Sequence, residues 1–218
     1  MIIHNVQQGS KEWFELRKDF YAASDAAAML GVSPYKTRND LLKEKTTGLV
    51  PEVDAATQRL FDDGHRFEDL ARAIAEKEIG EDLFPCVGTE GKLLASFDGL
   101  TVTDEIAREH KTLNDTLRAV MVPGCSGRDL PEYYQIQMEQ QLMVSGAEKV
   151  LFSATKWDEH GNLIEDRHCW YTSNPVTSQR ILTGWAQFEK DLATFEVKPE
   201  VAQAVGRTPE NLPALRIE

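Results

Sequence analysis

The spacing of apolar residues changes near Gly80, and this change limits the folds that the chain can adopt. Before Gly80, apolar residues recur at the three- and four-residue spacing of amphipathic helices. After it, they occur in short runs separated by glycine, which is typical of strands. The predicted helices of the first part cover residues 13–17, 24–31, 39–45 and 55–78.

After Gly80 the sequence predicts strands interrupted by two helices. Breaks between the first three strands are expected at Gly88, at Gly91 and at a turn formed by Asp98-Gly99. Regular alternation of strand and helix is missing, so the order predicts an α+β fold with a mixed α/β arrangement. The predicted strands cover 83–87, 92–97, 101–111, 150–157 and 163–171, and the predicted helices cover 132–144 and 176–194.

The length of 218 residues is enough for one sizeable core. We expect a single domain over residues 1–195 and a tail over 196–218 to which the sequence assigns no role. No apolar run reaches the length of a membrane span, and the first residues lack the order of a secretory signal. The three cysteines lie far apart and match no zinc or iron–sulfur spacing, so reduced thiols and a cytoplasmic location are expected. These cysteines are Cys86, Cys125 and Cys169.

The formal net charge of −12 argues against an ordinary nucleic-acid-binding surface. Proteins that neutralise phosphates are usually basic, because lysine and arginine displace counterions from the nucleic-acid backbone. The objection weakens where positive charge is confined to one surface and where carboxylates hold a metal ion. Net charge alone therefore leaves nucleic-acid binding open.

Polar residues on the predicted strands carry the strongest chemical signal. Asp98 is expected at a strand end, and Glu109 and Lys111 lie two apart on a later strand, so the latter two side chains face the same way. If the strands pair, two carboxylates and one ammonium converge, which suits Mg²⁺ and a phosphate ester. A hairpin turn and a solvated strand face would use the same residues. Arg108 has no assigned role, because an alternating strand turns it away from the site.

The segment from Asp98 to Lys111 resembles the PD-(D/E)xK nuclease signature, with Phe97 at the position of the proline. Three further segments, WFELRKDFYAAS, GHRFEDLA and YYQIQMEQQL, extend the resemblance to the phage recombination exonucleases of the bacteriophage lambda exonuclease type. This resemblance implies a restriction-endonuclease-like core, in which a central mixed sheet is flanked by helices and the site lies at one sheet edge.

In the first of these segments, Arg17 and Ser24 match the family residues that bind the 5′ phosphate of the digested strand. Ser24 is also expected as the N-cap of a helix that ends at Gly31, and free N–H groups at a helix start favour an anion. A guanidinium can hold a phosphate through two hydrogen bonds. The family usually has threonine where this chain has Ala22. Without the resemblance, Ser24 would be a plain cap and Arg17 a surface charge.

The other two segments each contribute a residue beside the predicted metal. The resemblance implies that Glu68 binds the metal, directly or through water; an exposed pair with Arg72 is the alternative. It also implies that Gln137 hydrogen-bonds the scissile phosphate or its water, with Gln141 one turn further along the same groove. Gln135 lies two residues from Gln137 on a helix, so the two cannot share a face.

The family's activity implies metal-assisted hydrolysis that removes nucleotides from the 5′ end of linear double-stranded DNA, leaving a 3′ overhang for recombination by single-strand annealing. Mg²⁺ is the expected cofactor, with Mn²⁺ as a substitute, and Lys111 acts on the scissile phosphate. Family members form a homotrimeric ring and work with a single-strand annealing protein. The expected metal ligands are Asp98, Glu109, Glu68 and the backbone carbonyl of His110; basic residues expected to face the ring channel are Lys36, Arg38 and Arg59.

Two other classes of function share these features. An endonuclease, restriction-like or junction-resolving, would use the same metal site, but the pair of Arg17 and Ser24 argues for action at DNA ends. A module that binds DNA or protein without catalysis would use the same fold, but the complete set of Asp98, Glu109 and Lys111 argues for catalysis.

Overall fold

The computed structural model shows one mixed sheet with helices packed against it. It describes residues 1–48 and 55–197, and for residues 55–65 it describes the backbone alone. The strands are β1 (Ile2–His4), β2 (Tyr21–Ala22), β3 (Leu83–Glu90), β4 (Leu93–Thr101), β5 (Ile106–Thr112), β6 (Lys149–Trp157) and β7 (Leu163–Thr172). The helices are α1 (Lys11–Asp19), α2 (Ala23–Met29), α3 (Arg38–Thr47), α4 (Ala55–Ile79), α5 (Asp115–Val120), α6 (Glu132–Ser145) and α7 (Pro175–Thr194). Within these ranges, no helix is long and apolar enough to cross a membrane.

The strand order of the sheet is β1-β3-β4-β5-β6-β7, and β2 pairs with β4 as an additional short strand. β5 and β6 run parallel from the pair Ile106↔Lys149 to the pair Thr112↔Thr155. β2 also runs parallel to β4, whereas the other neighbours are antiparallel. The expected α+β fold with a central mixed sheet flanked by helices is therefore confirmed.

The predicted helices are present with shifted ends, and the last two predicted strands form a hairpin. In α4, Ala71 and Ala75 are buried, whereas Leu70 is 41% exposed, so small side chains pack this helix against the sheet. The helices over 13–17, 24–31, 39–45, 55–78, 132–144 and 176–194 correspond to α1, α2, α3, α4, α6 and α7, and the hairpin corresponds to β6 and β7.

Two of the predicted strand breaks are wrong. Gly91 makes the turn between β3 and β4 with a φ of 56°, as expected, but Gly88 lies inside β3. The side chain of Met1 occupies the space that a Cβ of Gly88 would need, so this glycine serves packing. The turn after β4 lies at 102–105, and not at Asp98-Gly99, because β4 continues to its end before the chain reverses.

The residues expected to form that turn lie at a bulge in β4. The pairing of β3 with β4 shifts by one residue here, so that Pro85 alone lies opposite Asp98 and Gly99. Proline donates no backbone hydrogen bond and suits such a break in the ladder. A Cβ on Gly99 would lie 2.9 Å from the Cβ of Leu83, so the bulge also requires glycine for close approach. A bulge re-aims the neighbouring side chain, and here that side chain is Asp98.

The buried carboxylate of Glu139 fastens α6 to β7 and α7. It accepts hydrogen bonds from Tyr171 Oη at 2.6 Å, Ser173 Oγ at 2.7 Å and the backbone N–H of Asn174 at 2.8 Å, and also from the hydroxyl of Ser178. A fully buried carboxylate is stable only with such partners. Glu139 thereby fixes the position of α6, whose other residues reach the candidate site.

Replacing Glu139 with leucine should lower the free energy of unfolding by about 3 kcal/mol, because several buried donors then lose their acceptor. Urea denaturation measures this loss. Glu132→Ala is the control. Glu132 lies on α6, like Glu139, and forms an exposed ion pair with Arg180 on α7, so its replacement should cost less than about 1 kcal/mol. Equal losses in the two variants would contradict the anchoring role of Glu139.

Candidate active site

A gap in the sheet beside β4 forms the centre of the site. β3 pairs along the length of β4, so β2 and β5 must both use the other edge of β4. β2 pairs there with Leu93 and Leu94, and β5 pairs with Gly99 and Leu100. In the described chain no strand covers this edge over 95–98. The expected position at a sheet edge is therefore wrong, because the gap lies between strands in the middle of the sheet.

Glutamine side chains of α6 close part of this gap. The amide of Gln140 donates to the carbonyls of Tyr21 at 2.7 Å and Leu94 at 3.2 Å, and its oxygen accepts from Trp185. The amide of Gln141 donates to the carbonyl of Ser96 at 3.3 Å. These amides bind backbone carbonyls of β2 and β4 at the gap and next to it, which ties α6 to both strands.

Asp98 lies where β4 and β5 separate. Its Oδ2 accepts a hydrogen bond of 2.8 Å from the backbone N–H of His110. The side chain of Asp98 therefore links β4 to β5 just beyond the last backbone pair between these two strands. Burial, followed by the negative charge of Glu109, raises the pKa of Asp98 to about 7, against the opposing effect of Lys111 and Arg108. The two predicted carboxylates are therefore close enough to repel each other.

Both oxygens of Glu109 are held by donors. Lys111 Nζ lies 2.9 Å from Oε1, and the amide of Gln137 donates to the same oxygen at 2.7 Å. The amide of Gln141 donates to Oε2 at 2.5 Å. Gln135 turns away and donates to backbone carbonyls before α6, as its spacing from Gln137 predicts. The structure thus brings together Asp98 and the predicted residues that surround Glu109.

Glu68 and His110 are the two remaining residues predicted to bind the metal. Glu68 is buried on α4, and Arg72, its alternative partner, pairs with Asp69 at 2.6 Å. The ring of His110 is hydrogen-bonded to Thr155 Oγ1 at 2.7 Å, and burial lowers its pKa well below the ordinary value. Among the described residues, no three His, Cys, Asp or Glu side chains form a group that could hold a metal ion. Metal binding by Glu68 and by the His110 carbonyl stays a prediction.

The oxygen atoms of the carboxylate pair nevertheless suit a hard divalent cation. Such cations prefer oxygen ligands, and Asp98 and Glu109 supply carboxylates from adjacent strands. Burial and, after it, repulsion by Glu109 raise the pKa of Asp98, and a positive ion between the two carboxylates would relieve the repulsion. The amide oxygen of Gln141 is buried without a hydrogen-bond partner, and it adds a neutral oxygen beside Glu109.

Arg17 and Ser24, predicted together from the sequence, are in contact. Arg17 Nη1 donates to Ser24 Oγ at 3.1 Å, and the guanidinium lies 4.6 Å from the ring centre of Trp13. Ser24 is not the N-cap of α2. Ala22 occupies that position, because it ends β2 and the helix begins directly after the strand. The Ser24 hydroxyl faces Arg17 from inside the first turn, and Gly31 ends the helix region with a φ of 74°, as expected.

Asp25 organises the cations around this pair. It accepts from Arg17 Nη2 at 2.6 Å and lies 3.3 Å from Lys36 Nζ, which also binds Glu44. Burial opposes the charge of Asp25, but the nearby cations Lys36, Arg17 and Lys45 outweigh it and hold its pKa below the ordinary value. Sequence patterns gave Asp25 no role; its position directly after Ser24 was the available signal.

The same cluster carries an excess of positive charge. Lys45 Nζ donates to the carbonyls of Arg17 at 2.5 Å and Phe20 at 2.9 Å, and burial lowers its pKa to about 8. Three cations, Arg17, Lys36 and Lys45, therefore face two carboxylates, Asp25 and Glu44. An anion bound here would balance the charge.

The basic residues expected at a ring channel are engaged elsewhere or lie outside the described side chains. Lys36 belongs to the cluster around Asp25, and Arg38 pairs with Asp191 at 2.6 Å. The side chain of Arg59 lies outside the described residues. These contacts give the two described cations structural partners, and a role in a channel stays a prediction for all three.

Comparison with known proteins gives one family and a group of similar folds. Residues 12–148 match the family model of the YqaJ-like viral recombinase domain. The chain is similar to the crystal structure of an alkaline exonuclease (LHK-Exo) from Laribacter hongkongensis, with 23% identity and a TM-score of 0.63 over 85% of this chain and 93% of that chain. The complex of LHK-Exo with dAMP gives 22% identity and a TM-score of 0.64 over the same shares.

A third structure is more distant in sequence and similar in fold. The phage-related exonuclease from Haemophilus somnus 129PT shares 11% identity with this chain, with a TM-score of 0.59 over 80% of this chain and 94% of that chain. No curated protein matches the sequence. The structural matches show the fold, and the family model covers more than half of the chain.

Proposed function

Because this chain belongs to the YqaJ-like viral recombinase family, we propose that it is a metal-dependent exonuclease that digests the 5′-ended strand of linear double-stranded DNA. The observation that carries the proposal is the arrangement around Glu109, whose oxygens are held by Lys111, Gln137 and Gln141 beside Asp98. The proteins similar in fold support exonuclease activity, since their names describe them as exonucleases.

Four groups would hold the metal, which we propose to be Mg²⁺ with Mn²⁺ as a substitute. When bound, the ion would supply an activated water and offset negative charge on the phosphate. Asp98 and Glu109 have the strongest support, because the structure places them side by side in a buried setting. The proposed ligands are Asp98, Glu109, Glu68 and the backbone carbonyl of His110.

Lys111 and Gln137 act on the substrate in this proposal. The side chain of Lys111 is 12% exposed and lies against Glu109, so its ammonium is held at the border between the buried carboxylates and solvent. From there it can offset the charge that develops on the scissile phosphate, and a partly desolvated site strengthens this interaction. Gln137 donates to the same oxygen of Glu109, which holds its amide beside the proposed metal site, and its proposed role is to hydrogen-bond the scissile phosphate or the attacking water.

The cluster of Arg17 and Ser24 is proposed to bind the 5′ phosphate of the digested strand. The excess positive charge of this cluster favours a dianionic group. The position of the cluster is set by β2, which connects α1 to α2 and pairs with β4. The strand that carries Asp98 therefore also fixes the distance to the phosphate-binding pair. A fixed distance between an end-binding group and a cleavage site favours removal of short products from ends.

Exonuclease action in this family context implies a role in recombination. A 3′ overhang would be the product, a single-strand annealing protein the proposed partner, and a homotrimeric ring around the DNA the proposed assembly. Closed circular duplex distinguishes this activity from that of an endonuclease. We expect Mg²⁺-dependent digestion of linear DNA from the 5′-labelled end and no cleavage of the circle; nicking of the circle would contradict the proposal.

Asp98→Ala should abolish digestion of linear duplex because it removes a proposed metal ligand. The protein should still fold, because the loss of one buried hydrogen bond from the His110 N–H is offset in part by removal of a carboxylate that Glu109 repels. Strand-labelled digestion assays and circular dichroism measure the two effects. Asp69→Ala removes an exposed carboxylate on α4 and serves as the control. Near-normal rates in the Asp98 variant would show that the metal site lies elsewhere.

Lys111→Ala should reduce the turnover rate by at least about 100-fold and change DNA affinity little, because its charge matters most in the transition state. Single-turnover rates and binding to 5′-phosphorylated duplex in Ca²⁺ separate the two quantities. Lys156→Ala changes an exposed lysine on β6 and should behave as wild type. Equal losses of affinity and rate would make Lys111 a simple phosphate anchor.

Arg17→Ala should remove a preference for 5′-phosphorylated over 5′-hydroxyl ends. A charged hydrogen bond of this kind is worth roughly 1.5–3 kcal/mol, or about one to two decades in rate or affinity. Arg17→Lys should restore part of the preference, because an ammonium lacks the planar fork. Initial rates on matched duplexes with the two kinds of end measure the ratio. Equal loss on both would mean that the phosphate pocket lies elsewhere.

A further inference from the structure

Arg108 is the largest of the fully buried side chains in the described residues, and the proposed reaction gives it no task. It precedes Glu109 on β5 and points to the opposite face of the sheet, toward α4. A guanidinium stays charged inside a protein, and burying it is unfavourable unless its donors are used. The Nε of Arg108 is buried without a hydrogen-bond partner, so the contacts of the two Nη atoms indicate what holds the guanidinium in place.

Those contacts join the two chain segments that carry proposed metal ligands. Arg108 Nη1 donates to the backbone carbonyl of Asp98 at 3.4 Å, and Nη2 donates to the backbone carbonyl of Glu68 at 3.3 Å. Asp98 lies on the bulge of β4, and Glu68 lies on α4. The guanidinium thus bridges a strand and a helix through their backbone carbonyls.

The bulge explains why such a bridge is needed. β4 and β5 pair at Gly99↔Arg108 and at Leu100↔Ala107, and in the described chain their pairing ends there. The backbone around Asp98 is therefore outside a regular ladder, and a buried carbonyl in that position requires another donor. An arginine can serve two separated acceptors at once, because its donors form a rigid planar fork.

We infer that Arg108 is a positioning residue that sets the separation between the backbone of Asp98 and the backbone of Glu68, and thereby the affinity of the site for a divalent cation. The inference rests on the proposed metal-dependent function. Residues that orient metal ligands without touching the metal typically change metal affinity by 10- to 100-fold when they are replaced.

Binding of Mn²⁺ to the full chain in the absence of DNA tests this, measured by isothermal titration calorimetry together with the Tm of each variant. Arg108→Met keeps an unbranched apolar side chain and removes every donor, and it should raise the Kd for Mn²⁺ by about 10-fold or more. Arg108→Lys keeps the charge without the fork and should lie between this variant and wild type.

Arg167→Met is the matched control, because Arg167 is half-buried on β7, two strands from Arg108, and its Nη1 donates to the carbonyls of Arg118 at 2.7 Å and Met121 at 2.9 Å. It should lower the Tm and leave the Kd for Mn²⁺ unchanged. An Arg108→Met protein with a lower Tm and wild-type Mn²⁺ affinity would show a merely structural role and overturn the inference.

The remaining outcomes are also decisive. If Arg108→Met does not fold, wild-type Mn²⁺ affinity in Arg108→Lys overturns the inference, and a weaker affinity supports it. If the wild-type chain itself binds no Mn²⁺, the metal-dependent function fails and the inference fails with it. Tight binding by wild type with no effect at Arg108 leaves the proposed function intact and removes the inference alone.

Discussion

The arrangement of the site depends on the point at which β4 and β5 separate. Their backbones pair at two positions only in the described chain, after which the carboxylate of Asp98 binds the N–H of His110. If β4 and β5 paired along their whole length, their backbone hydrogen bonds would fill the gap, and no open edge would be left for side chains of α6. The bulge at Asp98 and Gly99 prevents this, and it requires glycine because Leu83 lies against the backbone. The local loss of strand pairing therefore creates the space in which the polar residues meet.

Helix α6 compensates for the missing strand with three glutamine side chains. Gln140 binds carbonyls of the open edge, Gln137 binds Glu109, and Gln141 binds both. An amide donates without adding charge, so it can satisfy a carbonyl or a carboxylate in a buried place where another lysine would require a counterion. On its other side, α6 is held by Glu139, whose carboxylate collects donors from β7 and α7. The helix is thus fixed by polar contacts at both faces, and its position determines how Glu109 is oriented.

The sequence predicted the longer helices and strands and the meeting of Glu109 with Lys111, since these follow from periodicity. The short elements β1, β2 and α5 contain too few residues for a periodic pattern and were not predicted. A spacing of two on a strand places side chains on one face whatever the tertiary structure, and the pairing with β4 then brings Asp98 beside them. Periodicity could not predict the bulge, because Asp-Gly is favoured both in hairpin turns and in bulges. Pairing with β3 determines which of the two forms, and that pairing is not visible in the local sequence. Ser24 was mistaken for an N-cap for the same reason: the short β2 strand, paired with β4, extends the chain up to Ala22 and moves the helix start. Gln140 gives no sequence signal at all, since its acceptors are backbone carbonyls on distant segments.

The net charge of −12 and the proposed role in phosphate binding are reconciled by how the cations are distributed. Electrostatic attraction to DNA over long distances depends on the whole surface, but a single terminal phosphate responds chiefly to charges within a few ångströms, because solvent and salt screen the rest. Around Arg17, buried cations outnumber carboxylates, and Asp25 keeps them oriented without neutralising them fully. At Glu109 the balance is the reverse, because one lysine and two amides hold a carboxylate that lies near a second one, Asp98. Charge in this protein is arranged locally, in two clusters joined by β4, and its overall sign therefore says little about what either cluster binds.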